Sequence, residues 1–363
     1  MTPLGERIAD LIGAAGPLSV ADFMALCLSD PKHGYYMREA DPFGSRGDFT
    51  TAPEVSQMFG ELIGAWLVAA WRASDRPAAA AVVEIGPGRG TLMKDLTRTL
   101  GQVEPGLLAA ADIVLVETSP ARAATQRTTL GTAAPRLRWA TDLDSLPAAP
   151  LFLVANELFD ALPVRQYVKV AGAWCERAVG LDEAGELAFV AAAGTVDHAL
   201  LPADAATAPD GAVVELAPAR SALMARIASR LAEHGGAALV VDYGYERPAV
   251  GDTLQALRRH APEHPLANPG EADLTSHVDF DALAKVARQS GLAAHIRPQG
   301  DFLLAMGLLE RAGRLGAAAG PDARDALQAA VERLAGPDQM GKLFKVLAVA
   351  PAGVRLPVFG QAG

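Results

Sequence analysis

The run Ala81-Val82-Val83-Glu84-Ile85-Gly86-Pro87-Gly88-Arg89-Gly90-Thr91 decides the fold. A short apolar segment ends in Gly-Pro-Gly, the pattern of a buried strand entering a tight turn. A helix is expected next, over 91–100. The alternation then repeats. Asp112 to Val116 reads as a second strand with Glu117 at its end, and Arg122 to Leu130 as a helix. Leu137 to Ala140 reads as a third strand and Leu151 to Ala155 as a fourth, closed by Asn156-Glu157. Strands and helices at this spacing build right-handed βαβ units and a parallel sheet. The expected class is α/β with a Rossmann-like sheet.

Farther out the alternation breaks. Residues 164–200 contain Gln166 to Val170 and Glu186 to Val190, which read as antiparallel strands of an insertion. Residues 203–213 read as a surface loop, and Pro218 to His234 as a helix. Ala237 to Val241 is a fifth strand, and 279–290 a helix stopped by Gly291. Ala293 to Arg297 and Lys345 to Val349 are the last strands, with helical segments between about 302 and 335. Toward the N-terminus, 4–14 and 19–29 read as short helices and about 54–74 as a long apolar one.

The chain has 363 residues, 50% of them hydrophobic, so a sizeable core can be buried. That length fits two domains, or one enlarged by insertions. A formal net charge of −10 argues against non-specific binding to nucleic acid or to an anionic membrane, and leaves a basic protein partner open. Cys27 and Cys175 have no CxxC spacing and read as reduced thiols. The histidines are scattered, and no metal site is expected. No signal-peptide core, transit peptide or membrane-spanning run of ~18 apolar residues is visible. The expectation is a cytoplasmic protein.

The glycine turn points to a cofactor. Glycine permits positive φ and close backbone approach, and the following helix N-terminus offers free N–H groups. A dinucleotide turn is G-x-G-x-x-G/A. Here the sixth position is Thr91 and the spacing is G-x-G-x-G through Gly86, Gly88 and Gly90. Glu117 lies 31 residues beyond Gly86, against roughly 20 in the dinucleotide pattern. S-adenosylmethionine fits better. Glu84 is placed to hold its α-amino group and Glu117 its ribose diol. Asp142-Leu143 is placed to meet its adenine, or Asp142 caps a turn.

In open α/β sheets ligands bind outside the carboxyl ends of the strands. Asn156 to Pro163 falls at that edge and carries Glu157 and Asp160, three residues apart. On one helical turn they would share a face. Paired carboxylates suit a guanidinium, whose planar donor fork matches them and whose charge must be managed. The alternative is that Asn156 and Glu157 cap a helix.

Together these segments resemble the MidA-type methyltransferases, the family of the mitochondrial complex I assembly factor that methylates an arginine. The resemblance rests on His33-Gly34-Tyr35-Tyr36, on Gly47 to Glu61, on Glu84 to Leu92, on Asn156 to Pro163 and on Ala272 to Phe280. The Gly-Asp-Phe-Thr-Thr-Ala-Pro-Glu and Asn-Glu-Leu-Phe-Asp-Ala-Leu-Pro runs are the most specific. It implies a class I methyltransferase fold and methylation of a protein arginine, symmetric in the mitochondrial relatives. It divides the chain into an N-terminal extension with a lid loop (1–75), a core (76–163 and 235–363) and an inserted substrate element (164–234).

It also makes Asp48, Thr51, Pro53, Glu54, Ser56 and Gln57 parts of a loop over cofactor and substrate. Read from the residues alone, Thr51 or Thr50 with Glu54 is a capping box. Tyr35 and Tyr36 either wall the pocket or pack in the core. His277 is a candidate base, or only a residue before an N-cap at Asp279. Leu303, Leu304, Met306, Leu308 and Leu309 are either core or a homodimer surface. A methyltransferase of small molecules or other side chains, and an assembly factor with little catalysis, remain the alternatives.

Overall fold

The computed structural model describes residues 1–37 and 50–359. The chain forms two compact units. Unit one comprises 1–49, 160–222 and 247–277, and unit two comprises 50–159, 223–246 and 278–363.

Unit two carries the expected sheet. Its strands are β1 (Ala81–Ile85), β2 (Asp112–Val116), β3 (Leu137–Ala140), β4 (Leu151–Asn156), β5 (Gly236–Tyr245), β6 (Leu292–Pro298) and β7 (Phe344–Pro351). They lie in the order β3-β2-β1-β4-β5-β7-β6, with Val278–Asp279 beside the end of β5. The first five pair in parallel, and β7 runs antiparallel to both its neighbours. Chain order reverses between β1 and β4, so ligand space opens at their carboxyl ends. Every residue of β1 and β4 is buried. Strands covered on both faces read as continuous apolar runs, which is why both were visible in the sequence.

Helices Gln57–Ala73 and Thr91–Val103 pack against this sheet through Phe59, Trp66, Met93 and Leu96, all fully buried. Glu61 is buried at their contact. Burial would raise its carboxyl, but Arg311 and Arg98 outweigh that and hold it low. Arg311 binds it through Nε and a terminal nitrogen, and Arg98 bridges it to Asp95.

The expected helix over 54–74 is two helices, Ala52–Val55 and Gln57–Ala73. Ser56 separates them in extended backbone, and its hydroxyl accepts from the Met58 N–H. A serine whose side chain satisfies an orphan N–H starts a helix rather than continuing one. The 302–335 stretch also divides. Leu303 and Leu308 are fully buried, whereas Leu304 and Leu309 are 42% and 56% exposed.

Unit one begins with helices Pro3–Ala15 and Val20–Ser29, the second capped by Ser19. Leu18–Ser19 pairs with Ala173–Leu181, which pairs in turn with Arg165–Val170 and Leu187–Thr195. Val213–Leu216 completes this sheet beside Arg165–Val170. Ala173–Leu181 was not expected. It stands between the two anticipated strands, which do not pair directly. Its burial does not alternate: Ala178, Val179 and Gly180 are all buried, whereas Ala173 is exposed and Cys175, Glu176 and Arg177 are half-buried. A second small sheet joins Gln255–Arg258 to Ala261–Glu263 and Asp273–Thr275.

The units differ from the division expected at 75, 163 and 234. The N-terminal helices and the insertion share one sheet and one core, including Phe23, Tyr35, Val179 and Leu274. The helices from 52 to 73 belong with the main sheet instead.

Gly236 opens β5 at φ +102°, where a Cβ would lie 2.1 Å from the Leu151 carbonyl oxygen. Gly236→Ala is therefore expected to cost about 3 kcal/mol through left-handed strain and a lost strand register. Urea unfolding measures this, and an unchanged midpoint would contradict it.

Candidate active site

The turn after β1 is left-handed at three alternate positions: Gly86 (φ +65°), Gly88 (φ +51°) and Gly90 (φ +83°). This is the physical content of the G-x-G-x-G spacing, since each position would strain a side chain. The Gly86 N–H donates to the Val116 carbonyl at 3.1 Å, which ties the turn to β2. Gly90 is the N-cap of helix Thr91–Val103, and being glycine it leaves the helix N–H groups without a side-chain cap.

Glu84 is 3% exposed. Burial pushes its carboxyl up to about 8, against a smaller opposing pull from the Met93 backbone. Its Oε2 has no hydrogen-bond partner. A buried carboxyl with an unsatisfied oxygen is unusual and fits a bound ammonium group.

Glu117 stands at the end of β2, half-buried. Its Oε1 accepts from the Ser119 N–H and its Oε2 from Gln126 Nε2 at 2.9 Å. Gln126 also donates to the Gly88 carbonyl at 2.8 Å and accepts from Trp139 Nε1. This fully buried glutamine joins the glycine turn, the acid and β3. Sequence reading passed over it. The available signal was its place on the same helix face as the buried Ala123 and Leu130.

Beyond β3, Asp142 is exposed and accepts from the Ser145 N–H. That hydrogen bond holds its carboxyl below the usual carboxylate range. The turn-capping alternative therefore describes what it does in this structure. Leu143 beside it is buried.

The polar residues near 51–57 are only partly as expected. Thr51 is the N-cap of Ala52–Val55, yet its side chain makes no capping bond. The capping box therefore fails. Its acid goes elsewhere, because Glu54 accepts from the Thr91 hydroxyl and lies 3.7 Å from Arg89. Pro53 is buried, Gln57 is exposed, and Ser56 is the cap described above.

At the end of β4, the Glu157 N–H makes the last ladder bond, to the Val241 carbonyl at 2.8 Å. Glu157 then turns the chain at φ +48°. Its Oε1 accepts from the Ala52 N–H at 2.9 Å and from Asn156 Nδ2 at 3.0 Å. Asn156 is buried, and its Oδ1 has no partner. The expected helical turn carrying Glu157 and Asp160 does not form. Left-handed backbone at Glu157 interrupts it, and the Leu158 and Phe159 N–H groups bond to the Asp242 carboxylate. Neither Asn156 nor Glu157 starts a helix of its own, but Glu157 takes the first N–H of helix Ala52–Val55, which Thr51 leaves uncapped.

The remaining expected residues lie in unit one. Asp160 is buried, and its Oδ1 accepts from the Ala161 N–H. Its carbonyl accepts from Arg220, which also binds the carbonyls of Ser276 and His277. Tyr35 packs in the core, edge-on to Tyr36. The Tyr36 hydroxyl donates to Asp273 at 2.8 Å. Burial first, then the charges of Asp273 and Asp160, raise the Tyr36 phenol. The His277 N–H donates to Thr253, and Asp279 caps the next helix as foreseen. Asp48 lies outside the described residues.

Cys27 is buried and Cys175 half-buried. His260 and His264 do stand four residues apart, but the strand between them would separate them by about 13 Å at ~3.3 Å per residue. Among the described residues no group of three or more His, Cys, Asp or Glu is placed to hold a metal, and no helix is long and apolar enough to cross a membrane.

A sheet of this order, with three left-handed glycines after β1 and an acid at the end of β2, defines a class I methyltransferase fold. Comparison with known proteins agrees. Residues 62–297 match the family model described as "Putative S-adenosyl-L-methionine-dependent methyltransferase", and the chain belongs to that family.

It is 35% identical to the rat (Rattus norvegicus) protein named "Protein arginine methyltransferase NDUFAF7, mitochondrial", over 100% of this chain and 87% of that one. The human relative of the same name is 34% identical over 97% of this chain and 84% of its own. A Burkholderia thailandensis crystal structure bound to S-adenosyl-homocysteine superposes with a TM-score of 0.83 at 31% identity, covering 97% of this chain and 92% of that one. The chain is an S-adenosylmethionine-dependent methyltransferase. The expectation of a cytoplasmic protein is overturned, because these relatives are named mitochondrial.

The buried Glu84 carboxyl has a measurable consequence. Between its ordinary 4.5 and about 8, the folded chain keeps a proton that the unfolded chain releases. Its contribution to stability is full below the unfolded value and is lost as pH rises through about 8. Glu84→Gln removes that dependence. Chemical denaturation at several pH values should show the variant gaining on the wild type as pH rises, and parallel profiles would contradict this.

Proposed function

We propose that the chain transfers a methyl group to an arginine guanidino nitrogen of a protein, with a respiratory complex I subunit as the partner that the family resemblance names. One observation carries the reading. Glu157 is held in left-handed backbone at the carboxyl end of β4, with its carboxylate fixed by Ala52 and Asn156. Non-glycine residues in such backbone cost of order 1–3 kcal/mol and cluster where function demands them. The names of the curated relatives support the arginine target.

S-adenosylmethionine, when bound, supplies a sulfonium methyl for in-line attack by a nitrogen lone pair. Glu84 and the three glycines would hold its methionine end, and Glu117 its ribose. Asp142 and Leu143 would lie toward the adenine. Glu157 accepts hydrogen bonds from the guanidinium, aligns one nitrogen and takes the proton that this nitrogen sheds. Positioning of this kind lowers a methyl-transfer barrier more than strong acid–base chemistry does.

Glu157→Gln should lower transfer by at least about a hundredfold while S-adenosyl-homocysteine binding stays within a few-fold. Tritiated-methyl incorporation and titration calorimetry measure the two. Undiminished transfer would remove Glu157 from the mechanism. Mass spectrometry of complex I arginines, with the gene present and deleted, tests the partner.

The assignment of Glu84 to the α-amino group predicts proton release. Below about 8 its carboxyl is protonated in the free protein. An ammonium group favours the ionised form, so binding expels a proton and affinity strengthens as pH rises toward that value. Calorimetry in buffers of different ionisation heat should show the release, and its absence would move the amino group away from Glu84.

A further inference from the structure

Beyond these residues, we infer that Asp242 is a positioning residue for methyl transfer, setting the angle at which Glu157 presents its carboxylate. The inference rests on the reading of Glu157 as the residue that meets the substrate.

The strands β4 and β5 differ in length. β4 ends at Asn156, which pairs with Val241, whereas β5 continues to Tyr245. Past that pair, the chain leaving β4 no longer has a β5 carbonyl in register. Its next N–H groups need another acceptor, since buried donors are rarely left unmet. Asp242 provides it. The residue is fully buried, and its Oδ2 accepts from the Leu158 N–H at 3.1 Å and the Phe159 N–H at 2.9 Å. Its Oδ1 accepts from the Tyr243 N–H at 2.9 Å. One carboxylate thus fastens the two residues after Glu157 to β5.

Glu157 is consequently pinned from both sides. Its own N–H bonds to Val241, and the following two bond to Asp242. The left-handed turn at Glu157 lies between these two anchors. Phe159 is fully buried, which holds the far end. Leu158 is seated so that its Cδ1 lies 2.8 Å from where a Cβ on Gly86 would stand. Fixing Leu158 therefore sets both the carboxylate and the packing on the cofactor turn.

The chemistry selects a carboxylate. It has acceptors on both oxygens, whereas an amide would turn a donor toward one of the three N–H groups. Asp242→Asn keeps the size and loses at least one of these bonds. Asp242→Glu keeps the charge and moves the oxygens outward by one methylene.

The test measures tritiated-methyl transfer from S-adenosylmethionine into protein of a lysate from cells lacking the gene. Several lysate dilutions separate apparent kcat from apparent KM, with Glu157→Gln run alongside. Asp242→Asn is expected to lower apparent kcat at least tenfold, with apparent KM and S-adenosyl-homocysteine affinity within about threefold of wild type. Asp242→Glu is expected to lower it too, because position and not charge is at stake.

If Glu157→Gln loses transfer while both Asp242 variants keep full kcat, the positioning role is overturned. If Glu157→Gln keeps transfer, the reading of Glu157 fails instead. Should the variants not fold, the wild type decides. The Leu158 and Phe159 N–H groups should exchange with deuterium as slowly as those of β4, and fast exchange would overturn the inference.

Discussion

The constraint on which unit two depends is the absence of a side chain at Gly86. Leu158 occupies that space, its Cδ1 2.8 Å from where a Cβ would stand. The close approach is possible because β1 and β4 are neighbours with their carboxyl ends at one edge. It brings the turn that defines the cofactor class against the loop that follows Glu157. Interiors are too densely packed for either segment to shift without the other. The glycine spacing, the strand order and the left-handed Glu157 are thus parts of one geometric arrangement.

Charge is distributed unevenly around that arrangement. Glu61, with two arginines on it, is an internal fastening held ionised. Glu84 has no arginine partner among the ion pairs described and is pushed the other way by burial. The contrast separates a structural acid from one with unmet bonding capacity. Perturbed carboxyls in ligand-binding edges are functional candidates for this reason. Unit one keeps its own buried polar centre, where Arg220 gathers the carbonyls of Asp160, Ser276 and His277.

Much of the sheet was legible. β1 to β4 were placed within a residue of their ends, because fully buried strands are apolar runs bounded by turn residues. The glycine turn, Glu84, Glu117 and Asn156-Glu157 stand at the strand ends where they were expected, because strand ends are punctuated by glycine and acid. The break at Ser56 was missed, since serine is compatible with both a helix interior and a cap. The strand Ala173–Leu181 was missed because its buried residues do not alternate and Glu176 and Arg177 interrupt its apolar pattern. Gln126 and Asp242 were overlooked because each looks like an ordinary polar residue until its partners are known.

The sequence by itself determined the class of fold, the glycine turn and which residues close the strands at its edge, because these depend on local spacing and on apolar periodicity. It also carried the family resemblance that the comparisons bear out. Only the tertiary structure decided that Glu157 and Asp160 do not share a helical turn. It also showed that Thr51 caps nothing with its side chain, and that Asp242 holds the loop beyond Glu157. These outcomes hang on hydrogen bonds between residues up to 105 positions apart. Propensity and spacing act over a few residues, so no local pattern could announce which distant carboxylate would receive a given N–H group.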